Sequence, residues 1–565
     1  MKRRNFVVVF SCLVVTAMLL AACGKATPVA TEVPATEAPV ATEAVAYEPL
    51  VVSAENCDYG GEFKSIEAID QYTVKFTLCN SDPAFPSKVA FSVFAIQDKD
   101  FLDANSGDSV KMSVEPNGTG PYKVVAWNQG DSVVFEANPD YWGDKALTQN
   151  LIFRWSEQSA QRLLELQAGT VNGIDNPGPD DIEAIKVDTT LQFVERPGFN
   201  VFYVAFNNTI APFDDINVRK GIALAIDRQR IVDEYLPSGS MVATSFVPNF
   251  ITPGSSPSIP WYDYDPEAAK AALALSGYNE SNPLKITLSF RNVVRAYLPS
   301  PDKVAQEVQA QLAEVGIEVT LNEMESAAFL DATSAGTVAF CLLGWNADYP
   351  DATNFYDYHF GNESNLTFGA LHDDIVTEIK AAAQLSDATE RQTHYDVVNQ
   401  LLKDYVVMIP VSYGGSGVAY QANVTGAQAS PLGNEVFYPM ANDTDTFVWM
   451  QSGEPSTLWC ADETDGETLR ACEQVYESLL SFTINGTEVV PGLAESYTVN
   501  DELTEYTFTL RQGVTFHNGA ALDANDVVAS FAAQWDAASP NHVGRTGMFE
   551  YFGAFFGAFL NAPAE

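Results

Sequence analysis

The stretch GWNADYPD, residues 344–351, sets a carboxylate beside two aromatic rings and a turn-forming proline. It follows the apolar run VAFCLLGW and turns at Pro350, which predicts that Asp348 sits at the end of a strand. There a carboxylate can face a cleft and pair with a cation through charge-assisted hydrogen bonds. A turn-capping aspartate accounts for the same Asp-Tyr-Pro order. Trp345 can form an aromatic wall beside a ligand, and packing within the strand explains it nearly as well; Asn346 and Tyr349 flank the same corner. Arg295, in RNVVRAYLPSPDK, offers a guanidinium to a ligand carboxylate or to a surface salt bridge. Covalent chemistry finds little support. The five histidines (359, 372, 394, 517, 542) show no HExxH spacing, CxxC is absent, and GGSGVAY does not have the spacing of a nucleophile elbow. His517, in VTFHNG, lies at a strand end before a turn and reads as structural.

Positioning these groups requires regular elements, and the pattern supplies them. Alternating apolar residues predict strands at 72–78, 132–137, 201–206, 286–290 and 506–510. In DDINVRKGIALAIDRQRIVDEYL, Asp214 or Asp215 can cap a helix that carries Val218, Ile222, Ile226 and Ile231 on one side. Val304, Val308, Leu312 and Val315 mark the face of another helix, with Gly316 as its C-terminal stop before a strand at 317–321. Gly118, Gly120 and Pro121 read as a turn entering a strand, not as a phosphate loop. Asn138–Trp142 reads as a turn followed by aromatic packing. Helices alternating with strands over this length predict an α/β protein.

Composition narrows the function classes. A hydrophobic share of 46% with 12% aromatics is that of a globular protein, and a formal net charge of −44 excludes a nucleic-acid surface. The chain opens with Met1, Lys2, Arg3 and Arg4 and an apolar run to Ala22, the pattern of an export signal over 1–22. Leu20, Ala21, Ala22 and Cys23 then resemble a bacterial lipobox, which makes Cys23 the expected lipidation site; an ordinary secretory signal is the alternative. Residues 23–49, rich in Thr, Pro, Glu and Ala, read as a disordered tether. Outside the cytoplasm disulfides are allowed. Cys57 and Cys79 flank an apparent hairpin, and Cys460 and Cys472 bound a short loop, so each set is expected to pair with Cys341 left free and buried; five reduced thiols remain the alternative.

Four stretches together resemble the family 5 extracellular solute-binding proteins, the peptide, nickel and oligosaccharide receptors of ABC importers. They are 117–143 (NGTGPYKVVAWNQGDSVVFEANPDYWG), 200–232 (NVFYVAFNNTIAPFDDINVRKGIALAIDRQRIV), 344–355 (GWNADYPDATNF) and 491–531 (PGLAESYTVNDELTEYTFTLRQGVTFHNGAALDANDVVASF). The resemblance implies a two-lobe periplasmic-binding-protein-like fold with an extra small subdomain in lobe I. It implies that the ligand is enclosed when the lobes close, and that Asp348 takes the α-ammonium group of a peptide. Glu454 and Ser456, in TFVWMQSGEPSTLW, join the candidate ligand contacts. Peptides are the first expected ligand, with nickel chelates or oligosaccharides behind them. Permease subunits are the expected partners, and the membrane is touched only through the lipid anchor. No cofactor, metal or nucleic acid is expected, and the receptor is expected to be a monomer in the periplasm or at the cell surface.

The order of the parts departs from the family. Sequence that belongs early begins near Thr446 and runs to 565, and the piece that should follow it begins at Tyr59. Read as 446–565 followed by 50–440, the chain is continuous, as in a circular permutant; tandem truncated receptors or a misassembled gene are the alternatives. The expected division is 50–115 and 488–565 for the small subdomain, 116–212, 410–440 and 445–487 for lobe I, and 213–409 for lobe II. An enzyme on this scaffold would turn peptides over, and an adhesin would lack a buried cleft.

Overall fold

The computed structural model describes residues 47–361 and 365–563. The signal, Cys23 and the tether as far as residue 46 lie outside the described residues. Three large sheets organise the rest, beside a two-stranded one of Leu480–Phe482 and Val489–Pro491.

The first sheet has five strands in the order Val51–Ser53, Phe63–Asp70, Thr73–Leu78, Glu505–Leu510 and Ala494–Val499. The alternation in Thr73–Leu78 buries Val74, Phe76 and Leu78. Tyr506 pairs with Phe76, so an early hairpin and a late one form a single antiparallel surface. Helix Ala524–Trp535 contributes Phe531 to that face, its ring 4.9 Å from that of Phe76, and starts with a capping box between Asp523 and Asp526. Phe556, from the last helix Glu550–Phe556, closes the cluster 4.7 Å from Phe63.

The second sheet has seven strands: Tyr122–Asn128, Ser132–Ala137, Asn150–Trp155, Thr446–Gln451, Gly173–Asp175, Ser416–Gln421 and Leu191–Arg196. Thr446–Gln451 is central and parallel to both neighbours, with Phe447 and Trp449 fully buried. Gly118 and Gly120 allow close approach to this region, because a Cβ at either would fall 2.0 and 2.7 Å from the Val475 backbone.

The third sheet runs Met241–Val242, Met408–Tyr413, Asn200–Phe206, Phe340–Asn346, Leu284–Arg291 and Ile317–Met324. Asn200–Phe206 is buried at every position and central, which explains its nearly unbroken apolar sequence. Helix Pro301–Glu314 buries Val304, Val308 and Leu312, and Gly316, at φ +84°, turns the chain into the next strand. Two expectations change. Residues 216–235 form two helices, Ile216–Ala225 and Arg228–Tyr235, not one. Ile226 is extended at the break, and the Asp227 carboxylate accepts from Arg230 N at 3.0 Å to cap the second helix. The strands Asn200–Phe206 and Met408–Tyr413 belong to the third sheet, so the crossings between the second and third sheets fall before Asn200 and after Tyr413 instead of at 212 and 409.

Candidate ligand-binding cavity

A cavity of about 240 Å³ opens between the third sheet and the other two. Its third-sheet wall contains Arg295, Asn346 and Asp348; the facing wall includes Asp175, Arg196, Arg470, Glu473 and Tyr551.

Asp348 is aimed by a local clasp. The strand Phe340–Asn346 ends by pairing Asn346 with Asn200, and Ala347 N donates to Phe199 O at 2.8 Å, so the next residue turns out of the sheet. Asn354 Oδ1 accepts from Trp345 Nε1 and Asp348 N, both at 3.1 Å, while Asn354 Nδ2 donates to Asp348 Oδ2 at 2.9 Å. Asp351 receives both arms of Arg391 at 2.7 and 2.8 Å, which fixes the segment behind the turn. From the opposite wall Tyr551 OH donates to Asp348 Oδ1 at 2.8 Å. Each carboxylate oxygen thus has a neutral donor, and among the described residues no cation pairs with it. Burial pushes the Asp348 carboxyl up to about 6, against the lowering effect of the Asn354 and Tyr551 hydrogen bonds. Such a group is ready to receive a positive charge.

Arg295 follows the strand Leu284–Arg291 in a tight turn with Leu298. Its guanidinium donates to Val294 O at 3.1 Å, and no carboxylate pairs with it among the described residues. An unpaired carboxylate and an unpaired guanidinium therefore lie on the same wall.

The other predicted contacts are placed elsewhere. Trp345 does not line the cavity; it is stacked 4.8 Å from Tyr358 and perpendicular to His359. Tyr349 turns into the core of the first sheet, 4.8 Å from Phe555, with its hydroxyl 3.0 Å from Thr353 Oγ1. Glu454 accepts from Trp127 Nε1 and Gly130 N, each at 3.0 Å, and Ser456 N donates to Thr468 Oγ1 at 2.7 Å. None of these four lines the cavity; Ser452, just before them, does.

The facing wall holds groups that sequence reasoning missed. Asp175 and Glu435 neutralise Arg196 and Arg470 in a buried network: Arg470 reaches Asp175 at 3.0 Å and Glu435 at 2.9 Å, Arg196 reaches Asp175 at 3.3 Å, and Arg196 also pairs with Glu435. Burial raises Asp175, but Arg470 and Arg196 outweigh it and hold its carboxyl below the ordinary range. The only local signal for this wall was the spacing of Arg470 and Glu473, three apart in ETLRACEQVY.

Other predicted features read as structure. His517 Nε2 lies 3.0 Å from Gly120 O, and burial lowers it to about 4. Tyr141 and Trp142 both donate to Glu477 at 2.8 Å, behind the seven-stranded sheet. Cys57 is bonded to Cys79 and Cys460 to Cys472, with Cα atoms 5.6 and 6.2 Å apart, and Cys341 is free and buried. Among the described residues no cluster of His, Cys, Asp or Glu could hold a metal ion, and no helix is long and apolar enough to cross a membrane.

Comparison with known proteins agrees with this architecture. The chain is 30% identical over 393 residues to a dipeptide-binding protein of Pseudomonas aeruginosa, covering 67% of this chain and 71% of that protein. The structure of HbpA2 from Haemophilus parasuis matches with a TM-score of 0.58 at 29% identity, over 68% of this chain and 76% of the other. DppA from Helicobacter pylori, solved in complex with the peptide STSA, shares the fold with a TM-score of 0.60 at 24% identity, over 68% and 75%. The model of the bacterial extracellular solute-binding proteins, family 5, matches residues 37–366 and 488–548. The chain belongs to that family of two-lobe transport receptors, which are not enzymes.

Proposed function

We propose that this protein is the peptide receptor of an ABC importer, anchored through Cys23 and delivering its cargo to a membrane permease. The observation that carries the reading is Asp348, a partly buried carboxylate that has no cationic partner among the described residues, on the same cavity wall as an Arg295 likewise unpaired among them. A zwitterion supplies what both lack: its ammonium pairs with Asp348 and its carboxylate with Arg295. The cavity of about 240 Å³ lies below the roughly 300–1,000 Å³ of pockets for drug-sized ligands, which favours peptides of two or three residues. Nickel chelates and oligosaccharides rank behind, because neither needs a separated anion and cation. Closure of the lobes hides the ligand from water and presents one shape to the permease. The test is mass spectrometry of ligand released from gently purified protein. Short peptides with free amino groups are expected; sugars or metal chelates in their place would refute the reading.

The order of segments is, on this reading, a circular permutation. Its support is that 446–565 and 50–440 supply one non-overlapping set of parts, with Thr446–Gln451 central in one sheet and Glu505–Leu510 paired to Thr73–Leu78 in another. Permutation is tolerated at exposed loops when the original termini lie close together. A gene encoding 446–565 before 50–440 should yield a protein with the same peptide affinity. Failure of that chain to fold, with the natural order folding normally, would count against the permutation.

A further inference from the structure

The cavity is more anionic than a peptide backbone requires. Asp175 and Glu435 are spent on Arg196 and Arg470. Asp465 caps the helix Gly466–Cys472 through Thr468 N at 2.8 Å, and Glu467 accepts the Ser452 hydroxyl. With Asp348 and Arg295 taken by the termini of a bound peptide, Glu473 is left over.

Glu473 stands at the end of that helix, on the wall opposite Asp348. Among the described residues its Oε2 is fully buried and has no hydrogen-bond partner, and neither has the hydroxyl of Ser92, whose proximity lowers the carboxyl. A buried, unsatisfied carboxylate oxygen costs free energy unless something fills the need. A peptide held by Asp348 and Arg295 lies along the third-sheet wall, so a side chain that leaves its backbone toward the facing wall meets Glu473.

We propose that Glu473 is a side-chain subsite of the cavity, selecting short peptides that carry a lysine or arginine side chain. This inference rests on the peptide reading above. Burial pushes the Glu473 carboxyl up to about 8, only partly offset by Ser92 and Arg470 and reinforced by Glu435. Near neutral pH the empty cavity therefore holds it mostly protonated. Entry of a basic side chain, which keeps its own proton, ionises Glu473 and sends that proton to the solvent.

The test is titration calorimetry with dipeptides bearing lysine or norleucine at either position, in buffers of different ionisation enthalpy. At one position lysine should bind roughly 10- to 100-fold more tightly than norleucine, the range of a charge-assisted hydrogen bond to a buried carboxylate. Its binding should release a proton, which norleucine binding should not. Glu473→Gln should lower the lysine preference to within about threefold and abolish the proton release, while norleucine peptides still bind. Equal affinity for lysine and norleucine in the wild-type protein overturns the subsite without touching the peptide reading, and so does a preference that survives Glu473→Gln. If no peptide binds at all, the peptide reading fails and the subsite falls with it.

Discussion

One wall of the cavity comes from three neighbouring segments of the third sheet, at residues 200, 294–296 and 346–348, whereas the other is assembled from segments scattered between Ala90 and Tyr551, and the two hold their charges differently. On the first wall Asp348 and Arg295 have no ionic partners among the described residues, and each is fixed by a local turn. On the second, Arg196, Arg470, Asp175 and Glu435 neutralise one another across long sequence separations. Unpaired charges on a rigid turn suit a ligand that will supply the partner. A closed network of four charges suits a scaffold, because it ties the strand ends at Asp175 and Arg196 to the helix carrying Arg470 and to the loop carrying Glu435. The comparison separates residues that wait for a ligand from residues that hold its container.

The largest effect should come from breaking the assembled wall. Glu435 is fully buried, and Glu435→Ala leaves two guanidinium groups with one carboxylate between them. Removing one partner of a buried pair costs on the order of 3–5 kcal/mol. Chemical denaturation of the variant should show a loss of that size, and a loss near zero would mean that the network is not structural.

Nearly as large is the disulfide on the same wall. Cys460 and Cys472, twelve residues apart, bracket the helix that carries Arg470. Replacing both with serine should cost about 3 kcal/mol in the chain-entropy model. Peptide mapping without reduction, on protein carrying Cys23→Ser, should recover this link, the link between Cys57 and Cys79, and one free thiol at Cys341, which burial pushes up to about 12.

What the sequence revealed follows the same division. The strand Ser132–Ala137 was legible to the residue, and Thr73–Leu78, Asn200–Phe206 and Glu505–Leu510 to within a residue at the start, because their apolar pattern is local. Asp348 was legible because a strand end and a proline turn adjoin it. Glu473 and Tyr551 were not, since their value depends on facing residues from distant segments. The packing of Trp345, in the strand Phe340–Asn346, and of Tyr349, just after it, was hidden for a related reason, since their partners Tyr358, His359 and Phe555 come from other elements. The break at Ile226 was hidden because Ile226 stays buried even though the helix stops there.

The pH dependence sharpens the first wall. The Asp348 carboxyl, raised to about 6 in the folded protein, stabilises the ligand-free fold most when protonated, and that contribution is lost as pH rises through about 6. Ligand affinity runs the other way, since an ammonium group needs the ionised form. Below about pH 6 affinity for a free peptide should fall roughly tenfold per pH unit, measured by titration across that range. A flat profile would mean that Asp348 does not meet the charge.

The smallest effect should be at Tyr551, whose hydroxyl donates to Asp348 from the opposite wall. Tyr551→Phe removes that bond and keeps the ring. The expected change in peptide affinity is about tenfold or less, as for one hydrogen bond to a charged group, with thermal stability nearly unchanged.

The most direct measurement is a titration of one short peptide, free and N-acetylated, against the wild-type protein and Asp348→Ala. Wild type should bind the free peptide and fail to bind the acetylated one. Asp348→Ala should lose a few hundredfold or more, since an unpaired buried cation costs on the order of 3–5 kcal/mol, while its unfolding curve stays close to that of wild type. If Asp348→Ala binds the free peptide as tightly as the wild type does, or if acetylation makes no difference, Asp348 is a turn cap and the ligand is held in another way.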